Sequence, residues 1–344
     1  MDKKKIIWAI LFVFIAGASI WAVISQSQGF SLEMFGEYIK EANASWLIIG
    51  VFSASGFLVF EGFAIRSIIA GLGYPRKIRK NMLYASADLY FSAITPSATG
   101  GQPASAYFMV KDGIPAAVVT VALLINLIMY TAAIIVIGIV SIIICPEVFF
   151  GFSALSRVLI ITGYVIMLFL GVIFMLLLFH KKMLENICNK ILKLLDKCKL
   201  IRNRKKKKEK LTKTMDDFRQ CASMVSGQRG MLWKAFGYNF LQRLSQLLVT
   251  VFVYLATGGI IANVNELFVM QSFVAIGSNC VPIPGAMGVA DYLMIDGFGS
   301  IMSETAATNL ELLSRSMSFY ILIIISGITV VLGMIFRKIK RRNL

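Results

Sequence analysis

Seven ionisable residues lie within strongly apolar stretches of the chain, where a charge at the centre of a membrane helix costs about 2.5–3.5 kcal/mol. They are Glu61, Arg66, Asp88, Arg243, Asp291, Asp296 and Arg315. Arginine binds phosphate through its fork of N–H donors, and a carboxylate accepts hydrogen bonds from an ammonium group. The set therefore predicts a polar cavity that suits a zwitterionic or amine-bearing phosphate ester. Two alternatives stay open: a proton-coupled role for the carboxylates, and snorkelling of Arg66 and Arg315 to an interface.

Two short stretches rich in proline and glycine interrupt apolar segments. The first break is residues 95–103 and the second is residues 281–288, and together they hold four of the seven prolines. Proline removes a backbone donor and glycine permits backbone conformations that other residues avoid, so each break ends one helix and allows another to begin. The helix over 81–95 would be about 22 Å long, shorter than the bilayer core of about 30 Å. Re-entrant pairs are therefore favoured over ordinary proline kinks.

The two interrupted segments, 81–110 and 264–300, are predicted to enter the membrane from opposite sides, because three full spans separate them. Interrupted helices of opposite orientation are typical of inverted-repeat transporters, whose site lies near the midplane where the two tips meet. The residues predicted to bind substrate there are Asp88, Thr95, Ser97, Thr99, Gly100, Gly101, Gln102, Tyr107, Arg243, Pro282, Pro284, Gly285, Asp291 and Arg315.

The composition indicates the elements that must position these residues. Hydrophobic residues make up 58% of the 344 and charged residues 15%, against about 25% charge in ordinary soluble domains. Disorder and a soluble enzyme are therefore excluded. We predict an all-α integral membrane protein that forms one polytopic domain over 1–344. Its six full spans are predicted at 6–24, 46–68, 115–145, 155–180, 231–257 and 316–336.

The charge distribution predicts the orientation. The chain has 35 Lys and Arg against 18 Asp and Glu, a net charge of +17. Thirty of the basic residues fall on one side of the predicted topology, and cytoplasmic loops carry such an excess. Both termini are therefore predicted to be cytoplasmic.

The long loop 181–230 is predicted to be a basic, amphipathic, helical part of the cytoplasmic surface. It holds 16 Lys and Arg against 5 Asp and Glu. The loop is predicted to bind anionic lipid headgroups. The alternative is that its charge only determines the topology. Nucleic-acid binding is a third hypothesis, but the loop lacks the interleaved aromatic residues that stack on bases. The residues predicted at the lipid surface are Arg202, Arg204, Lys205, Lys206, Lys207 and Lys208.

The chain lacks the motifs of cofactor-dependent chemistry. Its five cysteines form no CxxC pair, His180 is its one histidine, and G-x-S-x-G, a nucleotide-binding loop and H-E-x-x-H are missing. We predict no catalytic residues, no metal and no cofactor. A membrane transferase that uses carboxylates alone stays open.

Both breaks resemble the signatures of a known family. The stretch from Asp88 to Tyr107, followed by Lys-Asp-Gly-Ile-Pro115, is similar to a signature of the lysylphosphatidylglycerol synthase transmembrane-region family. The stretch 282–288 resembles its second signature, P-x-P-G-G-x-G-x-x-E, with Ala286 at the second glycine and Asp291 at the glutamate. The resemblance covers about residues 5–338.

In the full-length enzyme of that family, a cytosolic domain transfers lysine from lysyl-tRNA to phosphatidylglycerol. The membrane region is associated with flipping the product outward, which protects against cationic antimicrobial peptides. Because the chain ends at Leu344, soon after the last predicted span, the resemblance implies the flippase-like part without the transferase domain. It also implies a location in the plasma membrane of a bacterium.

The leading hypothesis is a lipid translocase that moves lysyl-phosphatidylglycerol or a related phospholipid between leaflets. One alternative is phosphatidylglycerol lysyltransferase, or a subunit of one. No nucleic-acid partner is expected unless the protein acts as this transferase with lysyl-tRNA. Two further alternatives are a transporter of polyprenyl-phosphate-linked lipids and a scaffold for a separate synthase. The expected partners are a phospholipid substrate, anionic headgroups and a separate synthase.

Overall fold

The computed structural model describes residues 36–37, 40–95, 99–179, 216–225, 227–279, 281, 286 and 288–342. Regular structure within these ranges is helical, with no strand. Eleven helices are named here: α1 Ala44–Gly71, α2 Ile78–Ile94, α3 Gly101–Lys111, α4 Ala116–Ile144, α5 Pro146–Gly151, α6 Ala154–Phe179, α7 Arg229–Ala256, α8 Val264–Asn279, α9 Val289–Phe298, α10 Glu304–Arg315 and α11 Ile321–Arg342. A π-helical turn, Ser316–Tyr320, joins α10 to α11.

Four helical segments of the described chain are long and apolar enough to cross a membrane. They are Ala44–Gly71, Ala116–Ile144, Ala154–Leu178 and Glu304–Arg337. The predicted spans at 46–68, 115–145, 155–180 and 316–336 coincide with them, although the last helical segment begins well before residue 316. The predicted span at 6–24 lies outside the described residues.

Helix α7 covers the predicted span at 231–257 but is less apolar than these four. Its 28 residues would extend about 42 Å, which is enough to cross. Asn239, Gln242 and Arg243 lower its hydropathy, and all three are buried, whereas Trp233 and Leu241 are exposed. This pattern fits a membrane helix whose polar side faces protein, where backbone and side chains can be satisfied. Six full spans remain a prediction.

Two helix pairs flank the two predicted breaks. Helices α2 and α3 pack against each other and form what we call the first hairpin, and α8 and α9 do the same and form the second hairpin. They correspond to the segments 81–110 and 264–300. Entry of the hairpins from opposite sides of a membrane remains a prediction.

Each hairpin belongs to its own apolar core. Tyr84 and Met109 of the first hairpin are fully buried in a core shared with α1 and α4. Phe273 and Leu293 of the second hairpin are fully buried in another core shared with α7 and α10. Leu89 of α2 packs against both cores, so the first hairpin touches the surroundings of the second at this point.

A short helical stretch over 216–225 precedes α7. Phe218, Ala222 and Val225 lie on one side of it, at helical spacing, and are buried in the core of the first hairpin. The apolar face of this stretch therefore packs on the protein itself. The rest of the loop 181–230 up to residue 215 lies outside the described residues.

Candidate functional site

A cavity of about 300 Å³ lies between α7, α10 and the second hairpin. Among the described residues of the first hairpin, Leu89 is the one that reaches its wall. Ser318 and Phe319 of the π-helical turn also line it, and such turns recur at functional sites. The polar lining residues are Tyr130, Arg243, Gln246, Thr250, Gln271, Ser278, Asn279, Ser314, Arg315 and Ser318.

The guanidinium of Arg243 is held between two aromatic rings. It lies 3.6 Å from the centroid of Tyr130 and 5.2 Å from that of Phe57. Its Nη1 donates to Oε1 of Gln246 at 2.5 Å, and the Tyr130 hydroxyl donates to Oδ1 of Asn279 at 2.9 Å. Cation–π contacts of this kind contribute about 2 kcal/mol when desolvated. Arg243 is thus fixed at the wall without forming an ion pair with a described carboxylate.

The guanidinium of Arg315 lies between two carboxylates. Its Nη2 is 2.6 Å from Oδ1 of Asp291 in α9, and its Nε is 3.0 Å from Oε1 of Glu311, one turn earlier in α10. Oδ2 of Asp291 also accepts from the backbone N–H of Gly288 at 2.8 Å, which caps the start of α9. Two acids around one base leave a surplus negative charge beside the cavity when all three groups are ionised.

Three buried polar atoms on the cavity-lining residues lack a hydrogen-bond partner among the described residues. They are Nε of Arg243, Oε1 of Gln271 and Oγ of Ser314. Buried polar groups in native proteins are nearly always satisfied, so orphaned ones call for an explanation. Donors and an acceptor together suit the phosphate and hydroxyl groups of a polar headgroup.

The predicted residues of the first hairpin bind one another. Nε2 of Gln102 in α3 donates to Oδ2 of the buried Asp88 in α2 at 2.7 Å. At the turn, Oγ1 of Thr95 donates to the carbonyl of Phe91 at 2.6 Å and accepts from the N–H of Gly100 at 2.9 Å. A Cβ at Gly101 would collide with Asp88, so this helix start needs glycine. These contacts hold α2 and α3 together at their tip.

The comparison with known proteins settles the family. The model of the lysylphosphatidylglycerol synthase transmembrane region matches residues 6–326. The chain belongs to this family. A UPF0104 membrane protein of Pyrococcus horikoshii is 28% identical over 124 residues, which are 36% of this chain and 37% of that protein. The match thus spans little more than a third of the relative's length. The predicted family is confirmed, and the family and the apolar helices support a membrane location.

The second break contains two left-handed backbone positions. Gly288 has a φ of 82°, in the region where glycine is favoured. Ala286 has a φ of 49°, also left-handed, at the position where the resemblance noted above implies a glycine. A left-handed backbone at both positions would account for that implied glycine. Oδ2 of Asp291 accepts from the N–H of Gly288.

The structure of this family member brings together part of the predicted site. Arg243 and Arg315 line the cavity, and Asp291 is bound to Arg315. Asp88, Thr95, Gly100, Gly101 and Gln102 meet in the first hairpin, and Thr99 lies in its connection. Tyr107 is 54% exposed on α3, where Lys111 Nζ lies 4.6 Å from its ring centroid. Outside the described residues lie Ser97, Pro282, Pro284, Gly285, Arg202, Arg204, Lys205, Lys206, Lys207 and Lys208.

Sequence reasoning missed Glu311 and Tyr130 and left Glu61 out of the predicted binding residues. Glu311 precedes Arg315 by four residues, a spacing that allows a helical ion pair and could have revealed it. No local signal links Tyr130 to Arg243, since they lie on different helices far apart in the chain. Glu61 is buried in α1, where its Oε2 accepts from Nε2 of Gln242 at 3.4 Å. Asp296 lies elsewhere, where its Oδ2 accepts from the N–H of Ser153 at 3.0 Å.

Proposed function

We propose that this protein is a lipid translocase that passes a phospholipid headgroup through the cavity between α7, α10 and the second hairpin. The observation that carries the proposal is the charge arrangement in the wall. Arg243 is a buried cation without an ion pair to a described carboxylate, and Arg315 shares two carboxylates. The cavity lining itself carries the two guanidiniums, while the carboxylates of Asp291 and Glu311 lie beside it, bound to Arg315. Charges of both signs at and beside a cavity in a membrane domain suit a headgroup of both signs.

The proposed substrate class is an aminoacylated phospholipid such as lysyl-phosphatidylglycerol. Its phosphate would bind Arg243, whose guanidinium supplies several N–H donors in one plane. Its ammonium groups would bind near Asp291 and Glu311, because these two carboxylates share the single guanidinium of Arg315. A lipid with phosphate alone, such as a polyprenyl-phosphate conjugate, would use Arg243 but not the two acids, so the acids favour the amine-bearing lipid.

The size of the cavity suits a headgroup more than a whole lipid. Ligand sites of small molecules range over about 300–1,000 Å³, and this cavity lies at the lower end of that range. The acyl chains would remain in the bilayer while the headgroup crosses. We further propose that the protein acts in the plasma membrane of a bacterium, with both termini cytoplasmic, on lipid that a separate synthase supplies. The resulting loss of negative surface charge would protect the cell against cationic antimicrobial peptides.

Reconstitution into proteoliposomes tests the proposal. Lysyl-phosphatidylglycerol, phosphatidylglycerol and phosphatidylethanolamine, each labelled on an acyl chain, would be scored for exchange between leaflets. We expect the fastest exchange with lysyl-phosphatidylglycerol. Arg243→Gln should slow exchange of all three by about tenfold or more, because a hydrogen bond to a charged group contributes about 1.5–3 kcal/mol.

Two outcomes would contradict the translocase. Folded protein that exchanges none of the three lipids would exclude it for these substrates. Transfer of lysine from lysyl-tRNA to phosphatidylglycerol by the same vesicles, without exchange, would favour the transferase instead. Arg79→Gln is the matched control, since Arg79 is an exposed arginine of α2 away from the cavity.

A further inference from the structure

A second pocket, of about 500 Å³, lies between α1 and α7, away from the cavity described above. It is at the end of α1 and the beginning of α7, the ends that the charge distribution predicts to be cytoplasmic. Phe63, Arg66 and Ala70 line it from α1, and Met231, Lys234 and Tyr238 line it from α7. These residues recur every three or four positions, so each helix turns one face toward the pocket.

Two close contacts between the helices lie at the two ends of this pocket. At one end Met231 packs so closely on Gly71 that a Cβ at Gly71 would collide with its sulfur. At the other end the rings of Phe63 and Tyr238 stack with their centroids 5.5 Å apart and an interplanar angle of 26°. The helices therefore cannot close on the space between these contacts without losing them. The pocket is preformed.

The walls of the pocket carry two cations, Arg66 and Lys234. Neither forms an ion pair with a carboxylate among the described residues, and no carboxylate lines the pocket. Arg66 belongs to a helix that is apolar enough to cross a membrane, where a cation needs water or an anion. Both side chains are exposed, and an anion between them would offset the repulsion of their like charges. The electrostatics therefore favour an anionic ligand.

The neighbouring aromatic residues indicate the depth of the pocket. Trp233, adjacent to Lys234, is 73% exposed and lies edge-on to Phe236, 6.1 Å away between ring centroids. Tryptophan and tyrosine are enriched at the level of the lipid headgroups. Basic pockets between membrane helices at the cytoplasmic side bind anionic headgroups. These features are the ones expected of a pocket at the level of the lipid phosphates.

We propose that the pocket between α1 and α7 binds the phosphate of an anionic phospholipid headgroup. The Arg66 guanidinium binds the phosphate oxygens through its fork of donors, and Lys234 adds a point charge from the opposite wall. Lys234 and Arg243 are nine residues apart on α7, about 13 Å along the helix, so this site is separate from the proposed translocation cavity. A free phosphate ion has the same chemistry, and the experiment must separate the two sources.

Titration of the full chain in detergent with short-chain phosphatidylglycerol, followed by calorimetry, tests this site. We expect Arg66→Gln and Lys234→Gln each to weaken binding about fivefold, which corresponds to about 1 kcal/mol for one interfacial cation, and the double variant about 25-fold. Gly230→Trp keeps both charges and fills the pocket, since a Cβ at Gly230 meets nothing within 4 Å. It should weaken binding as much as the double variant.

Arg79→Gln removes an exposed charge outside the pocket and should leave the affinity unchanged. Unaltered affinity in a folded double variant, or in folded Gly230→Trp, would overturn the proposal. Inorganic phosphate that displaces the lipid at equal concentration would assign the pocket to a free anion and also overturn it. The titrations are made in an Arg243→Gln background, so that binding in the translocation cavity is weakened and the result does not depend on whether the protein exchanges lipids.

Discussion

The two hairpins use their acidic residues in different ways. In the first hairpin, Asp88 accepts from Gln102 of the same hairpin at 2.7 Å and is 7% exposed. In the second hairpin, Asp291 reaches outside it to Arg315 of α10 at 2.6 Å, and a third of its side chain is exposed. The first acid closes its own hairpin, whereas the second joins its hairpin to a cation of the cavity wall.

The bases of the hairpins are also held differently. Asp112, directly after α3, accepts from the Tyr84 hydroxyl at 2.6 Å and forms ion pairs with Lys80 at 3.2 Å and Arg337 at 2.8 Å. This cluster ties the first hairpin to the end of α11. The second hairpin has no ion pair near its base among the described residues; there Oδ2 of Asp296 accepts from the backbone N–H of Ser153 at 3.0 Å. The two hairpins therefore make different contacts: the first bonds within itself and to α11, whereas the second lines much of the cavity.

Arg315→Gln is expected to have the largest effect. It leaves Asp291 and Glu311 without their shared base, and removing one partner of a buried ion pair costs about 3–5 kcal/mol. Lipid exchange in proteoliposomes should fall below detection, and thermal unfolding should shift to lower temperature. The control is a triple variant, Arg315→Gln with Asp291→Asn and Glu311→Gln, which removes the charges together. It should recover most of the stability but not the exchange, and recovered exchange would show that Arg315 serves the fold alone.

Replacing the two acids separately tests the comparison directly. Asp291→Asn should reduce exchange of lysyl-phosphatidylglycerol about tenfold, because it weakens a charged contact at the cavity wall that contributes about 1.5–3 kcal/mol. Asp88→Asn should reduce it about threefold or less, since the amide oxygen still accepts from Gln102 within a hairpin that contributes Leu89 to the wall. A larger loss with Asp88→Asn than with Asp291→Asn would reverse the assigned roles.

Gly101→Ala tests whether the first hairpin is a rigid support. The added methyl group would collide with Asp88 and Ser92, so we expect a loss of about 1–3 kcal/mol in the free energy of unfolding. Gly237→Ala in α7 is the matched control, because a Cβ there meets nothing within 4 Å. It should stabilise the helix by about 0.5–1 kcal/mol. Equal stability of the two variants would mean that the close approach of α2 and α3 is dispensable.

The helix pairs could be predicted from sequence because their breaks depend on local residues. Proline and glycine act on their own backbone, so 95–103 and 281–288 marked the ends of α2 and α8 without knowledge of the fold. The partners of the charges could not be predicted in the same way. Tyr130 and Arg243 meet because α4 and α7 pack together, and no spacing in the chain encodes that contact. For the same reason, the sequence predicted the same substrate-binding role for Asp88 and Asp291. The two residues differ in which helix each one contacts, and local sequence does not encode that.

Asp112→Asn is expected to have the smallest effect and tests the base of the first hairpin. Its ion pairs are partly solvated, with side-chain exposures of 44% for Lys80 and 27% for Arg337, so their loss should cost about 1 kcal/mol. Asp216→Asn, which removes an ion pair to Arg219 from a carboxylate that is 60% exposed, should change stability less. Exchange should remain near that of the unmodified protein, because Asp112 lies away from the cavity. If exchange fell strongly while stability was retained, transport would be limited by motion of the first hairpin against α11. The second hairpin would then not be the limiting element.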